Sequence, residues 1–295
     1  MELIPAKTIV IRNKTTSWFG ADYNMNIYKG CCHGCIYCDS RSECYHVDDF
    51  DRVRAKANAL EIIRNDLRRK VKTGVIATGA MSDPYNPFEK ELQLTRHALE
   101  LVGAYGFGVA VDTKSDLITR DIDILKEIQS VSPVIAKITV TSADDTLCEK
   151  IEPHAPRSSR RFEAINQLTE SGIFAGILLM PVLPFIEDNE ENVLAIVRQA
   201  HRSGARFIYP AFGVTLRQNQ RDWYYKKLEE QFPNSGLKEK YIRRYGEFYQ
   251  CSSPNARALW HIFKTECDRL GLLYNMRDIV STYKQGYGNS QLSLF

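Results

Sequence analysis

The chain has 295 residues, a formal net charge of +3 and 44% apolar residues, a composition typical of a folded globular protein. No stretch approaches the roughly 18 uncharged apolar residues that a membrane span requires, and the N-terminus lacks the apolar core of a signal peptide. We therefore expect a cytoplasmic protein with no membrane partner. Thiols stay reduced in that compartment, so the eight cysteines favour a metal site over a disulfide framework.

Apolar runs of strand length alternate with helical patterns over the first two thirds of the chain. The strand-like runs are Val75–Met81, Phe107–Thr113, Ala136–Thr141, Phe174–Met180 and Phe207–Phe212, with one more strand expected just before the cysteine-rich loop at residue 30. The helical patterns are Phe50–Val71, Leu92–Tyr105, Asp121–Val131, Ser158–Ser171 and Glu190–Ser203. About six such units predict an α/β fold, a partial (β/α)6 TIM-like barrel.

The pattern changes near residue 214. Three helical stretches rich in Tyr, Trp, Arg and Lys follow, at 217–232, 237–250 and 255–271. Turn-forming residues and a short apolar pentapeptide end the chain. We therefore predict a barrel over residues 1–213, a C-terminal helical extension over 214–280 and a flexible tail over 281–295.

A cysteine cluster lies at residues 30–41, GCCHGCIYCDSR. Cys31, Cys35 and Cys38 have the spacing C-x3-C-x2-C, and Cys32 adjoins the first of them. Three thiolates on one loop can ligate a zinc ion or three irons of a [4Fe–4S] cluster. Zinc would need a fourth ligand, for which the candidates are Cys32, His33 and Cys44.

This spacing, with an aromatic residue before the last cysteine, resembles the radical S-adenosylmethionine (radical SAM) superfamily, whose fold is a partial barrel. The resemblance implies a [4Fe–4S] cluster held by Cys31, Cys35 and Cys38, with SAM as the second cofactor. The iron without a protein ligand would chelate SAM, and one electron from the reduced cluster would release a 5′-deoxyadenosyl radical. The protein's task is then to position both cofactors.

The resemblance narrows in ATGAMSDPYNPFE (77–89) and VDTKSDLITRD (111–121), which look like the spore photoproduct lyase family over about residues 20–275. Lyases of that family repair a methylene-bridged thymine dimer in DNA through the 5′-deoxyadenosyl radical. The resemblance assigns SAM binding to Ser82 and Asp83, to Lys114, to Thr139 in place of a serine, and to Met180 in place of a small residue.

The chain departs from that family where a hydrogen donor is expected. The family carries a cysteine two residues before the Ser-Asp pair, and it returns a hydrogen atom to the thymine radical; here the residue is Ala80. A second family tyrosine, after the last cluster cysteine, is Asp39 here. Either the donor has moved or the reaction differs. Our hypothesis is that Cys32 or Tyr37 serves as the donor.

Basic and aromatic residues predict contact with nucleic acid, because arginine and lysine bind phosphates and aromatic rings can stack on displaced bases. The basic candidates are Arg157, Arg160, Arg161, Arg217, Arg221, Lys226, Lys227, Lys238, Lys240, Arg243 and Arg244. The aromatic candidates are Trp223, Tyr224, Tyr225, Tyr241 and Tyr245. The remaining cysteines are interpreted as packing or surface thiols: Cys44, Cys148, Cys251 and Cys267.

The last five residues, QLSLF (Gln291–Phe295), match the pentapeptide that bacterial repair proteins present to the DNA polymerase sliding clamp. The predicted function is therefore a monomeric radical SAM lyase that repairs damaged DNA and binds the clamp. A radical SAM enzyme acting on RNA, a peptide or a metabolite remains an alternative, as does a non-catalytic iron–sulfur protein, because fold does not fix substrate.

Overall fold

The computed structural model describes residues 1–287. Its strands are β1 (Glu2–Ile4), β2 (Val10–Arg12), β3 (Tyr23–Met25), β4 (Tyr28–Lys29), β5 (Arg54–Lys56), β6 (Val75–Thr78), β7 (Gly108–Thr113), β8 (Val134–Thr139), β9 (Ala175–Leu179), β10 (Ile208–Pro210), β11 (Gly213–Thr215) and β12 (Gln250–Ser252). Its α-helices are α1 (Ala59–Arg68), α2 (Glu89–Leu92), α3 (Leu94–Ala104), α4 (Ile122–Gln129), α5 (Asp145–Ile151), α6 (Ser158–Glu170), α7 (Glu190–Arg202), α8 (Gln218–Gln231), α9 (Leu237–Tyr245), α10 (Ala256–Leu270) and α11 (Met276–Tyr283).

The main sheet has seven strands in the order β10-β9-β8-β7-β6-β3-β2. The six from β3 to β10 are parallel to their neighbours, and β2 pairs antiparallel with β3 at the edge. Within residues 1–287 no ladder joins the two edge strands, so the barrel is open. The predicted α/β fold, a partial (β/α)6 barrel, is confirmed.

The central strands β7 and β8 are buried along their whole length, as parallel strands covered on both faces must be. Side chains alternate across them. Val109 and Val111 pack outward against the helices, whereas Ala110 faces the barrel interior with Phe19 and Phe207. The amino-terminal half of the interior is therefore filled, and binding sites are left to the carboxyl ends of the strands.

The helix predicted over residues 50–71 is wrong at its start. Residues Arg54–Lys56 form β5, which pairs parallel with β1 and antiparallel with β4. Asn58 then adopts a left-handed conformation with φ of 54°, and helix α1 begins at the next residue. Asparagine tolerates this conformation better than most residues, so the chain can turn sharply from strand to helix there.

The C-terminal extension differs from the prediction in two places. Helix α9 ends at Tyr245, and Gln250–Ser252 form β12, which pairs antiparallel with β11. Helix α11 continues past residue 280, and its buried Tyr283 donates a hydrogen bond to the carbonyl oxygen of Phe19 at 2.6 Å. The predicted tail therefore begins as helix. Its clamp-like segment, Gln291–Phe295, lies outside the described residues.

The extension shares a hydrophobic cluster with the cysteine loop. Tyr224 and Tyr241 pack there with Ile36 and Tyr37. Residues on both sides of the predicted boundary at residue 213 therefore share one hydrophobic cluster. No helix in the described part of the chain is long and apolar enough to cross a membrane.

Candidate active site

The cysteine loop follows β4 and is anchored on both sides. Gly30 has a φ of 82°, and a side chain there would clash with the backbone carbonyl of Arg52, so glycine is required at this turn. The Cys31 amide donates to the Phe50 carbonyl at 2.8 Å, and the Ile36 amide donates to the Ile151 carbonyl at 2.9 Å. These bonds fix the loop on the barrel.

The extension helix α8 holds the other side of the same loop. Gln220 donates a hydrogen bond to the Tyr37 carbonyl at 3.0 Å. The guanidinium of Arg41 lies 3.8 Å from the ring centre of Trp223 and forms an ion pair with Asp51. Stacking on tryptophan combined with a two-point carboxylate contact makes this a rigid clamp. These contacts hold the loop against helix α8.

The three cysteines of the motif lie on this one loop and form no disulfide. Burial raises the pKa of Cys31 to about 12 and that of Cys35 well above the ordinary thiol value. Iron binding would therefore displace protons from them. Cys35 is buried, whereas Cys31 and Cys38 are half-buried, so the loop could hold a cluster at the edge of the barrel.

A single zinc ion and a [4Fe–4S] cluster need different arrangements of donor atoms. Among residues 1–287, no three Cys, His, Asp or Glu side chains converge closely enough to hold one metal ion. A structural zinc site needs four ligands around one point. In a [4Fe–4S] cluster each thiolate binds a different iron, so no such convergence is needed. Three cysteines spread along one loop are thus a donor set that such a cluster can use.

Lys114, directly after β7, faces the cysteine loop. Its ammonium lies 5.6 Å from the ring centre of Tyr37 and 3.8 Å from a carboxylate oxygen of Glu152. Burial lowers the pKa of Lys114, but Cys35 and Glu152 outweigh it and hold that pKa above the ordinary value. Lys114 is thus a protonated, positively charged side chain beside the cysteine loop, and it could bind the carboxylate of a ligand there.

Ser82 and Asp83 are buried, and both are bonded within the chain. Ser82 donates to the Gly30 carbonyl. Asp83 accepts from the Tyr85 amide at 2.9 Å, from the Thr113 hydroxyl at 2.6 Å and from the Lys114 amide at 2.8 Å. The pair therefore joins the cysteine loop to the ends of β6 and β7. Direct contact of these side chains with SAM stays a prediction.

A cavity of about 480 Å³ opens at the carboxyl ends of the strands. Its lining includes Tyr37, Cys38, Ala80, Lys114 and Met180, and β11 and β12 form the opposite wall. Four sequence-predicted site residues thus meet at one cavity, together with the position that departs from the lyase family. Thr139 is buried at the end of β8, where its carbonyl accepts from Arg161 at 2.9 Å.

The two hydrogen-donor candidates lie in different surroundings. Tyr37 is buried at the wall of the cavity, and its hydroxyl donates to Glu152. Burial raises the pKa of Tyr37 well above the ordinary phenol value, so the hydroxyl keeps its proton. Cys32 lines a different cavity of about 390 Å³ with Asp51 and Trp223. The geometry therefore favours Tyr37 over Cys32 as a group near Ala80.

Sequence reasoning missed Glu152 and misread Arg161. Arg161 is fully buried and pairs with Glu152 at 2.5 Å, so it cannot contact nucleic acid as predicted. Glu152 lies in the loop IEPH, outside every motif, and gave no sequence signal. Arg161 lies near the start of the helix that follows Pro156, and this position was the only sequence hint about its surroundings. Its side chain turns inward to the Glu152 carboxylate.

Several other nucleic-acid candidates are buried as well. Arg221 is 5% exposed and donates to the carbonyls of Leu216, Glu247 and Phe248. The rings of Tyr224, Tyr225, Tyr241 and Tyr245 lie in the hydrophobic cluster of the extension. These side chains cannot stack on bases, and the sequence interpretation of them is wrong. Of the other thiols, Cys148, Cys251 and Cys267 are buried and Cys44 is exposed, as expected.

Comparison with known proteins identifies the family. Residues 25–205 match the radical SAM superfamily. This range includes the cysteine loop, the end of β3 and the whole of β6, β7, β8 and β9; β10 lies outside it. The chain belongs to the radical SAM superfamily. As a radical SAM enzyme it uses a [4Fe–4S] cluster and SAM, the cofactors expected from the sequence.

Two relatives by sequence are uncharacterised proteins. An uncharacterised protein of Methanocaldococcus jannaschii is 33% identical over 219 residues, covering 73% of this chain and 78% of that protein. An uncharacterised protein of Mycobacterium tuberculosis is 28% identical over 235 residues, covering 77% of this chain and 67% of that protein. The descriptions of these two relatives name no activity and no substrate.

Solved structures resemble the fold of this radical SAM enzyme. A spore photoproduct lyase complexed with dinucleoside spore photoproduct matches with a TM-score of 0.65 and 15% identity, over 91% of this chain and 79% of that chain. A radical SAM methyltransferase from Kitasatospora setae matches with a TM-score of 0.54 and 11% identity, over 84% of this chain and 51% of that chain. At these identities the likeness shows the fold alone.

Proposed function

We propose that this radical SAM enzyme is a carbon–carbon lyase that reverses the methylene-bridged thymine dimer in UV-damaged DNA. The observation that carries the proposal is the cavity where Tyr37, Cys38 and Lys114 meet, in a fold shared with a lyase solved with that lesion. The cofactors would supply a 5′-deoxyadenosyl radical at this cavity. Abstraction of a ring hydrogen from the lesion would then allow the bridging bond to break.

The chain's own residues would hold the cofactors around the cavity. Cys31, Cys35 and Cys38 would ligate the cluster, and Lys114 would bind a carboxylate or ribose oxygen of SAM. The remaining proposed SAM contacts lie on the ends of neighbouring strands, at Ser82, Asp83, Thr139 and Met180. Their support is the geometry of the strand ends, which are the usual ligand sites of parallel sheets.

The rim of the cavity supports a nucleic-acid substrate. Phe248 is 76% exposed and Tyr249 is 45% exposed, directly before β12, which forms one wall of the cavity. Arg217 lies over the Tyr249 ring at 4.6 Å. In the described part of the chain, Lys240, Arg243 and Arg244 of the adjacent helix α9 are exposed and form no ion pair, so they remain available for phosphates.

The missing thiol at Ala80 leaves Tyr37 as the proposed hydrogen donor. Of the cysteines, only the cluster ligand Cys38 is in the lining of this cavity, whereas Cys32 lines another. The lack of a free thiol in the cavity lining also favours a second candidate function. This is a radical SAM reaction that needs no thiol donor, on another lesion or on a substrate other than nucleic acid.

The clamp-like segment Gln291–Phe295 is proposed to tether the enzyme to the sliding clamp. Tyr287, the last described residue, donates a hydrogen bond to the carbonyl of Gln129 at the end of α4. Helix α4 leads to the amino end of β8, opposite the cavity. The chain therefore leaves the described fold on the face away from the cavity, where a clamp would not obstruct substrate. Deletion of residues 291–295 should abolish clamp capture in a pull-down, and unchanged capture would refute this tether.

One assay tests the lyase proposal. Anaerobically reconstituted protein is given SAM, dithionite and UV-irradiated DNA that contains the methylene-bridged dimer, and thymine and 5′-deoxyadenosine are quantified. Restored thymine supports the lyase. Release of 5′-deoxyadenosine without loss of the lesion would reject the lesion as substrate and support the second candidate function.

A further inference from the structure

Glu152 is a buried carboxylate that contacts two residues of the cavity lining. It lies in the loop after α5 and is only 1% exposed. One carboxylate oxygen accepts the Tyr37 hydroxyl and lies 3.8 Å from the Lys114 ammonium. Both of these partners line the cavity at the strand ends. A single side chain therefore touches two separate segments of the cavity wall.

The other oxygen of Glu152 is held by Arg161 at 2.5 Å. Arg161 is itself fixed, because its guanidinium donates to the carbonyl of Pro156 at 2.7 Å and to that of Thr139 at 2.9 Å. The carboxylate is thus tied to the end of β8. Paired charges that use their remaining hydrogen bonds on the backbone are the arrangement in which a buried ion pair keeps one geometry.

Charge distinguishes Glu152 from the other fully buried glutamate nearby. Burial alone would raise the pKa of Glu152, but Arg161 and Lys114 outweigh it and hold the pKa below its ordinary value. For Glu187, also fully buried, burial dominates and raises the pKa to about 8. Glu152 is therefore a carboxylate at neutral pH, whereas Glu187 is a neutral acid in the same region.

We propose that Glu152 is a positioning residue of the SAM site, holding the Lys114 ammonium and the Tyr37 hydroxyl in place at the cavity wall. Lysine has a long flexible side chain. A fixed partner therefore lowers the conformational entropy that the Lys114 side chain would lose when SAM binds. Loss of the carboxylate charge should therefore weaken SAM binding, while the cysteine loop, which keeps its backbone hydrogen bonds at Cys31, Ile36 and Tyr37, still loads its cluster. This inference rests on the SAM contact proposed for Lys114 and is independent of the DNA lesion.

The test compares SAM affinity in cluster-loaded Glu152→Gln, Lys114→Met and the double variant. Equilibrium binding gives the Kd of SAM, and the EPR spectrum of the reduced cluster with and without SAM reports contact with the cluster. We expect Glu152→Gln to load iron as the wild type does and to raise the Kd about 10-fold. The double variant should bind no more weakly than Lys114→Met, because the two residues act through one contact.

The matched control is Glu187→Gln, which alters a carboxyl of equal burial that is already neutral and should leave the Kd unchanged. Wild-type affinity in Glu152→Gln, or full additivity in the double variant, would overturn the proposal. If Glu152→Gln loads no cluster, Glu152→Gln/Arg161→Met decides, since it removes both members of the fully buried ion pair and leaves no unpaired Arg161 charge. That pair variant must show the 10-fold rise; wild-type affinity, or failure to load iron, would contradict a role confined to SAM positioning.

Discussion

The buried acid Glu187 allows a quantitative prediction about stability. It precedes α7, is 0% exposed and accepts a hydrogen bond from the Leu183 amide at 2.9 Å. Burial raises its pKa from 4.5 to about 8. Because the folded-state pKa is above the unfolded one, the folded state binds more protons, and stability falls as pH rises between these two values. The shift corresponds to a loss of at most about 5 kcal/mol across that window.

The substitution Glu187→Gln should remove this pH dependence, because glutamine resembles the neutral acid in size and cannot ionise. The difference in unfolding free energy between variant and wild type should be less than about 1 kcal/mol at pH 5. It should grow in favour of the variant by up to about 1.4 kcal/mol per pH unit towards pH 8. Urea unfolding of the cluster-loaded protein, followed by tryptophan fluorescence from pH 5 to 8.5, measures it.

A constant difference over that range would refute the reasoning, because all other titrating groups are common to both proteins and cancel. A difference that grew towards low pH would show that Glu187 is ionised in the folded state. Either result would mean that burial does not dominate the pKa of this carboxyl.

Three further predictions concern the cavity and its rim. Cys35→Ala should lose most of the iron bound on reconstitution while Cys32→Ala keeps it, as measured by iron and sulfide content; equal loss in both would make Cys32 a ligand. Ala80→Cys should increase the thymine formed per 5′-deoxyadenosine, since it places a thiol at the cavity wall, and an unchanged ratio would show that hydrogen return does not limit turnover. Phe248→Ala should weaken binding of lesion-containing DNA about 5- to 30-fold, the effect of one lost base stack of about 1–2 kcal/mol, with the Kd of SAM unchanged; a similar effect on SAM would place Phe248 in the cofactor site instead.

Sequence periodicity predicted the barrel because parallel strands and amphipathic helices have distinct repeats. The runs at 75–81 and 107–113 became β6 and β7 with ends within three residues. The same periodicity failed at residues 246–252, where a glycine ends α9 and a strand forms only because β11 lies opposite. Pairing between distant segments is not encoded in the local pattern.

Motif spacing located the cysteine loop, and the resemblance to the lyase family pointed to Lys114 and Ala80; the fold brings all three to one cavity. It could not identify the partners of buried charges. Arginine is a common phosphate ligand, but the charge of Arg161 is neutralised by Glu152. Lys137 lies in a strand and is fully buried, with its ammonium 2.6 Å from Asp112 on the next strand. Such pairs depend on which elements become neighbours, and that is decided by the tertiary fold.

The lyase proposal is tested most directly by following one hydrogen atom. A synthetic dinucleotide lesion deuterated at its ring carbons is given to the reconstituted enzyme with SAM and dithionite, and the products are analysed by mass spectrometry. The proposal predicts thymine together with deuterium in 5′-deoxyadenosine, and neither product from Cys35→Ala. Unlabelled 5′-deoxyadenosine with an intact lesion would contradict it.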